Sequence, residues 1–175
     1  MRTRNEIQKT EKIDAAAALV RDRLQGRKAD IAERFLRQFY ANVAPQDLIQ
    51  DEVEDLFGAA VTMWAFGRER PVGTPKVRAY NPKFEEVGWQ SPHTVIEIVN
   101  DDMPFLVDSV TAALNKKDLT VHLVIHPILR VTRDAGGVIT ALAESEVADK
   151  EATAESFMHL KVSEQTSAEA LEEIE

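Results

Sequence analysis

Cysteine is absent from the 175 residues, which excludes disulfides, thiolate zinc sites and a cysteine nucleophile together and fits a reducing, cytoplasmic setting. No stretch approaches the roughly 20 apolar residues needed to span a bilayer. The first ten residues, MRTRNEIQKT, hold no apolar core of an export signal. Neither export nor membrane insertion is expected. A basic stripe is missing as well: residues 1–70 carry twelve Lys/Arg against twelve Asp/Glu, and the remainder nine against eighteen. The net charge of -9 therefore sits after Pro71, and such a surface repels phosphate backbones, so no nucleic-acid partner is expected. There is no G-x-G-x-x-G after a strand-like run, nor a nucleophile with a base, so neither a catalytic nor a cofactor-binding residue is expected in this chain.

What is present is the composition of a packed protein, 44% hydrophobic and 29% charged. Residues 1–70 follow the helical period. Ile13, Ala17, Val20 and Leu24 line one face of a first helix that Gly26 breaks. Ile31, Phe35, Phe39 and Val43 repeat the face in a second helix, ended by Ala44-Pro45. Asp51 and Glu54 have capping-box spacing ahead of a third stripe, Val53, Leu56, Phe57, Ala60 and Trp64, running to about Arg68. Phe35, Phe39, Phe57 and Trp64 read as core. Residues 71–92 are a Pro/Gly-rich connection with one short extended run, Lys76 to Tyr80, and Trp89 is expected to anchor it.

From His93 the period changes. TVIEIV (94–99) reads as a central strand. A helix follows with Pro104 in its first turn and Leu106, Val110, Ala113 and Leu114 as its buried stripe. LTVHLVIHPILRV (119–131) alternates as one strand, with Leu119, Val121, Leu123, Ile125, Leu129 and Val131 on one face and Thr120, His122, His126 and Arg130 on the other. Pro127 places it at an edge or a bulge. The turn DAGG (134–137) leads to a hairpin extension over 138–143, residues 144–154 read as a solvated loop, and 157–162 is a further strand with Met158, Leu160 and Val162 opposite His159 and Lys161. Ser167 caps a last helical run.

The expected fold class is α+β: a small N-terminal helical bundle, then a ferredoxin-like βαββα module over 93–175 that lacks its last strand. A chain ending within a helix is expected to be truncated, leaving a second sheet edge uncovered.

The run GWQSPHTVIEIVNDDMPFLVDSVTAALNKKDLTVHLVIHPILRV, with ESFMHLKV, resembles the N-terminal region of the large bacterial NAD-specific glutamate dehydrogenases. The upstream strings FYANVAPQDL, DLFGAA and KVRAYNP resemble it too. The resemblance implies an ACT-like module with a regulatory or assembly role, and a dehydrogenase core far downstream. NAD is then a cofactor of the parent enzyme and not of this chain. The remainder of the parent polypeptide is an expected partner.

ACT modules that bind amino acids do so where the first strand turns into the first helix, so Asp101, Asp102, Met103 and Phe105 are the candidate ligand-binding residues for an amino-acid effector. Phe105 stands where a glycine would be expected, and two acids repel a carboxylate, so helix capping is the competing role for Asp101 and Asp102. His122, Val124, His126 and Ile128 are candidate interface residues for self-association through a sheet edge. No metal is expected at His122 and His126, because four residues along a strand span roughly 13 Å, too far for ligand bonds of about 2.1 Å. A free-standing interaction scaffold is the alternative to a dehydrogenase part.

Overall fold

The computed structural model describes residues 2–144 and 151–175. Helices α1 (Arg4–Arg23), α2 (Arg27–Ala41), the single turn α3 (Pro45–Leu48) and α4 (Val53–Gly67) come first. A capping box opens α1: Thr3 Oγ1 accepts from the Glu6 N–H and the Glu6 carboxylate accepts from the Thr3 N–H, satisfying two orphan donors. The box expected at Asp51 and Glu54 is not made. Glu52 caps α4 without a side-chain bond, and Asp51 instead holds Lys161 Nζ of the sheet at 3.1 Å. Of the expected stripes, Ile13, Ala17, Val20, Phe35, Phe39, Val43, Leu56, Phe57 and Ala60 are inside, while Leu24, Ile31, Val53 and Trp64 are half-buried against them.

Beneath these helices lies one antiparallel sheet of β1 (Lys76–Tyr80), β2 (Thr94–Asp101), β3 (Val121–Ile125), β4 (Ile128–Arg133), β5 (Ile139–Leu142) and β6 (Thr153–Val162). Its order is β1-β2-β6-β4-β5, with β3 pairing the C-terminal half of β6 and β4 the N-terminal half. The short helix α5 (Phe84–Val87) follows β1, α6 (Leu106–Lys116) follows β2, and α7 (Ala168–Glu172) follows β6. Ser167 caps α7 by accepting from the Ala170 N–H. In a ferredoxin-like sheet the fourth strand lies beside the first. Here β1, from the Pro/Gly-rich connection, pairs antiparallel with β2 along its whole length. The edge expected to be uncovered is therefore covered by a strand that precedes the module.

The single strand expected over 119–131 is two. Pro127 has no N–H to give the ladder, and the chain breaks there into β3 and β4. A bulge at His122, between the pairs Val121–Val162 and Leu123–Lys161, also switches faces. Leu119 and Val121 pack beneath α6, whereas Leu123, Ile125, Leu129 and Val131 face the helical layer. The uniform face read from alternation is corrected by that one extra residue. Within α6, Ala113 is exposed and Val107 takes its place in the stripe. Pro104 precedes the helix rather than opening it. The expected loop over 144–154 lies, for residues 145–150, outside the described residues, and from Thr153 the chain is already β6.

The helical layer packs directly on one face of the sheet, where Val99, Ile125, Leu129, Val131 and Phe157 meet Phe35, Phe39 and Leu56. Close approach depends on two glycines: a Cβ on Gly58 would lie 2.4 Å from Trp89 Cβ, and one on Gly67 2.3 Å from the Phe157 ring. Trp89, 1% exposed, anchors the connection as expected, and its Nε1 donates to Thr62 Oγ1 at 3.1 Å. On the other face Ile96, Ile98, Met158, Leu160 and Val162 lie beneath Leu114 and Leu119.

Candidate functional site

The turn from β2 into α6 holds four of the sequence-predicted site residues. Asp101 Oδ1 receives an Arg70 guanidinium nitrogen at 2.7 Å, and Arg70 is itself fully buried and paired with Glu155 at 2.9 Å. Asp102 accepts from Ser156 Oγ at 3.0 Å. Neither acid caps α6, whose N-cap is Phe105 with no side-chain bond, so the capping role weighed for them is replaced by tethering to the sheet. Phe105 has φ 63, the left-handed conformation that glycine adopts without strain. Phe105 is 78% exposed, beside Met103 at 48% and Ile128 at 53%. These residues surround a shallow cavity of about 380 Å³ whose wall includes His126.

The four interface candidates are dispersed. His126 turns inward, with Nε2 3.0 Å from Ser156 Oγ. Burial lowers its pKa, against the weaker opposing pull of Asp102. Because Ser156 gives its one proton to Asp102, it accepts from the imidazole. That order, His to Ser to Asp, is the reverse of a base activating a nucleophile. Val124 packs with the core beneath α6. His122 stacks on His93 with ring centroids 4.4 Å apart, at a different cavity from His126. Thus His126 and Ile128 join Asp102, Met103 and Phe105, while Asp101, His122 and Val124 lie apart from that group.

A second site was not anticipated. Across β1, β2 and β6 the paired residues Arg78, Glu97 and His159 form one row on the face beneath the helices. Glu97 and His159 are wholly buried. The Glu97 carboxylate takes Arg78 Nε at 2.6 Å, the Tyr80 hydroxyl at 3.1 Å and His159 Nδ1 at 3.3 Å. Burial, with the Glu97 charge, raises the Tyr80 pKa, so the phenol stays a donor. Beside the row, between α3–α4 and the sheet, is a cavity of about 760 Å³ lined by Trp89, Leu48 and His159 among others. His159 Nε2 is buried without a hydrogen-bond partner. Alternation had placed His159 opposite Met158 and Leu160, but nothing local to either strand pairs it with Glu97, more than sixty positions away.

Among the described residues no group of three or more His, Cys, Asp or Glu could hold a metal ion, and no helix is long and apolar enough to cross a membrane. The family model for the glutamate dehydrogenase ACT1 domain matches residues 35–175. An NAD-specific glutamate dehydrogenase of Halomonas elongata is 40% identical over 160 residues, covering 89% of this chain and 10% of that protein. One of Pseudomonas aeruginosa is 34% identical over 128 residues, covering 73% of this chain and 8% of that protein. The chain thus spans about a tenth or less of the length of these curated relatives. No solved structure matches it. With a match running from α2 through β6 and α7, the chain belongs to the glutamate dehydrogenase ACT1 domain family.

Proposed function

We propose that this chain is a non-catalytic regulatory or assembly part of a cytoplasmic NAD-dependent glutamate dehydrogenase. On this reading the oxidative deamination of L-glutamate to 2-oxoglutarate, and the NAD site, belong to polypeptide outside it. Likeness to two NAD-specific glutamate dehydrogenases supports the parent reaction. The observation that favours assembly is the turn itself. A strained Phe105 holds its ring out to solvent between Met103 and Ile128, and strain kept at an exposed apolar residue points to a contact that uses it. The partner is the remainder of the parent polypeptide, which in proteins of the relatives' length is about nine-tenths of the chain.

Two measurements test this. The isolated chain is expected to form no NADH from glutamate, and turnover by it alone would overturn the reading. In the parent enzyme, Phe105→Ser with Ile128→Ser is expected to loosen assembly in sedimentation, and unchanged assembly would count against the apolar turn as the contact.

Amino-acid sensing at the same turn is the second reading, favoured by the glycine-like backbone at Phe105 and opposed by the acids beside it. Saturable heat from any of the twenty amino acids, lost in Phe105→Ser, would select it. Self-association through the free edge of β3, which pairs only with β6 among the described strands, is read by sedimentation between pH 5.5 and 8.

A further inference from the structure

We propose that the cavity between α3–α4 and the sheet is a binding site for a small organic cation: an apolar body carrying an ammonium group at one end and an O–H or N–H donor at the other. This site is separate from the turn and does not depend on the assembly reading.

The floor is apolar and closed. Leu48, Leu56, Trp89 and Ile125 line it and all are buried. The polar atoms that reach it are accounted for, save one. The Tyr40 hydroxyl donates to Leu56 O at 2.7 Å, and Trp89 Nε1 donates to Thr62 Oγ1. His159 Nε2 alone among the lining side chains is buried with no partner. The state of that nitrogen follows from its other side. Glu97 offers only acceptor oxygens to its neighbours, since Arg78 and Tyr80 both donate to it. The proton of His159 that faces Glu97 therefore resides on Nδ1, and because Arg78 already meets the Glu97 charge in this buried row, a second proton would leave an uncompensated cation, so Nε2 carries the lone pair. A buried acceptor left unpaired is costly, so a bound molecule that ends in a hydrogen-bond donor relieves it.

The mouth sets the charge. Asp47, Asp51, Glu52, Asp55 and Glu85 line the cavity against only Lys83 and Lys161, and Lys161 is already held by Asp51 at 3.1 Å. The excess of carboxylates attracts a cation and repels a carboxylate or phosphate. A volume of about 760 Å³ lies within the range of small-molecule sites. Donor at the floor, apolar body over Trp89 and cationic head at the mouth together define the ligand class.

Three probes separate these requirements in calorimetric titrations of the whole chain. Tyramine has the phenol donor, the ring and the ammonium; phenethylamine lacks the donor; 3-(4-hydroxyphenyl)propionate reverses the charge. Tyramine is expected to bind saturably, with phenethylamine weaker by about tenfold for loss of one buried hydrogen bond and the propionate weaker by at least about tenfold from the repelling rim. His159→Phe is expected to erase the difference between tyramine and phenethylamine, and Asp55→Asn to narrow that between tyramine and the propionate. Should His159→Phe fail to fold, the His159 Cε1–H resonance of the unaltered chain serves instead, moving with tyramine and not with phenethylamine. Equal affinity for all three probes, no saturable binding up to millimolar concentration, a preference for the propionate, or discrimination that survives His159→Phe would each overturn the proposal. None of these outcomes bears on assembly at the turn, which is read by sedimentation of the parent.

Discussion

The sheet buries alternate residues of the same strands on two faces that are covered to very different depths. Beneath α1, α2 and α4 it presents Phe157, Val99 and Leu129 to aromatic helices, and there it also hides Glu97, His159 and Glu155. Beneath α6 it presents the apolar Ile96, Ile98, Met158 and Leu160 with two buried hydroxyls, Thr94 bonded to Asn81 and Ser156 to Asp102, yet that helix contributes a single fully buried residue, Leu114. The deep face tolerates ionisable groups because each is met by another from a neighbouring strand or loop: Arg78 on Glu97, and Arg70 and Arg133 on Glu155. The shallow face needs no such pairing, but it is held by less. Depth of cover rather than polarity distinguishes the two layers, and both apolar and polar alternation can be buried.

Substitutions can break this contrast in order of size. Phe157→Ala, which empties the contact of the ring with Phe35 at 5.5 Å, is expected to cost about 3–5 kcal/mol. Gly58→Ala drives a methyl into Trp89 and is expected to cost about 1–3 kcal/mol. Leu114→Ala on the shallow face is expected near the lower end of the leucine range, about 2 kcal/mol, with the loss concentrated in α6. Denaturant melts give the totals, and hydrogen exchange gives their distribution: α6 amides are expected to exchange faster than those of α2 and α4. Equal exchange across the three helices, or Leu114→Ala costing as much as Phe157→Ala, would mean that the two faces are equally supported.

Much of this architecture was legible in sequence because it is local. The helical stripes, the punctuation at Gly26, the anchoring Trp89 and the central β2 follow from periodicity and turn residues that lie within a few positions of one another. The missed features each required a distant partner. The place of β1 beside β2 depends on pairing across a turn and α5, and the face switch at His122 on one unpaired residue that leaves no mark in an alternating run. The row Arg78–Glu97–His159 joins three strands whose polar residues, taken singly, look like solvated or incidental positions. Likewise Asp101 and Asp102 looked like caps from sequence, because neither Arg70 nor Ser156 is a local neighbour.

The smallest expected effect is electrostatic and touches both sites. Burial lowers the pKa of His126 at the turn, and burial together with His122 and Lys161 lowers that of His93 at the cavity mouth. A histidine whose folded pKa lies below its unfolded value binds fewer protons when folded, so stability rises with pH through the window between the two. The contribution is therefore whole above the unfolded value of about 6.5 and is lost as pH falls below it, down to the lowered folded pKa. Glu33, whose pKa is lowered chiefly by its hydrogen bond from Arg21, loses its own contribution only at more acid pH, as the carboxylate range is entered. Urea midpoints measured at pH 7.5 and 5.5 are thus expected to fall with acidification. Replacing both rings, by His93→Gln with His126→Gln, is expected to flatten that fall while leaving the acid loss below about pH 4.5 in place. An unchanged slope in the double variant would show that the two imidazoles are as readily protonated in the folded chain as in the unfolded one.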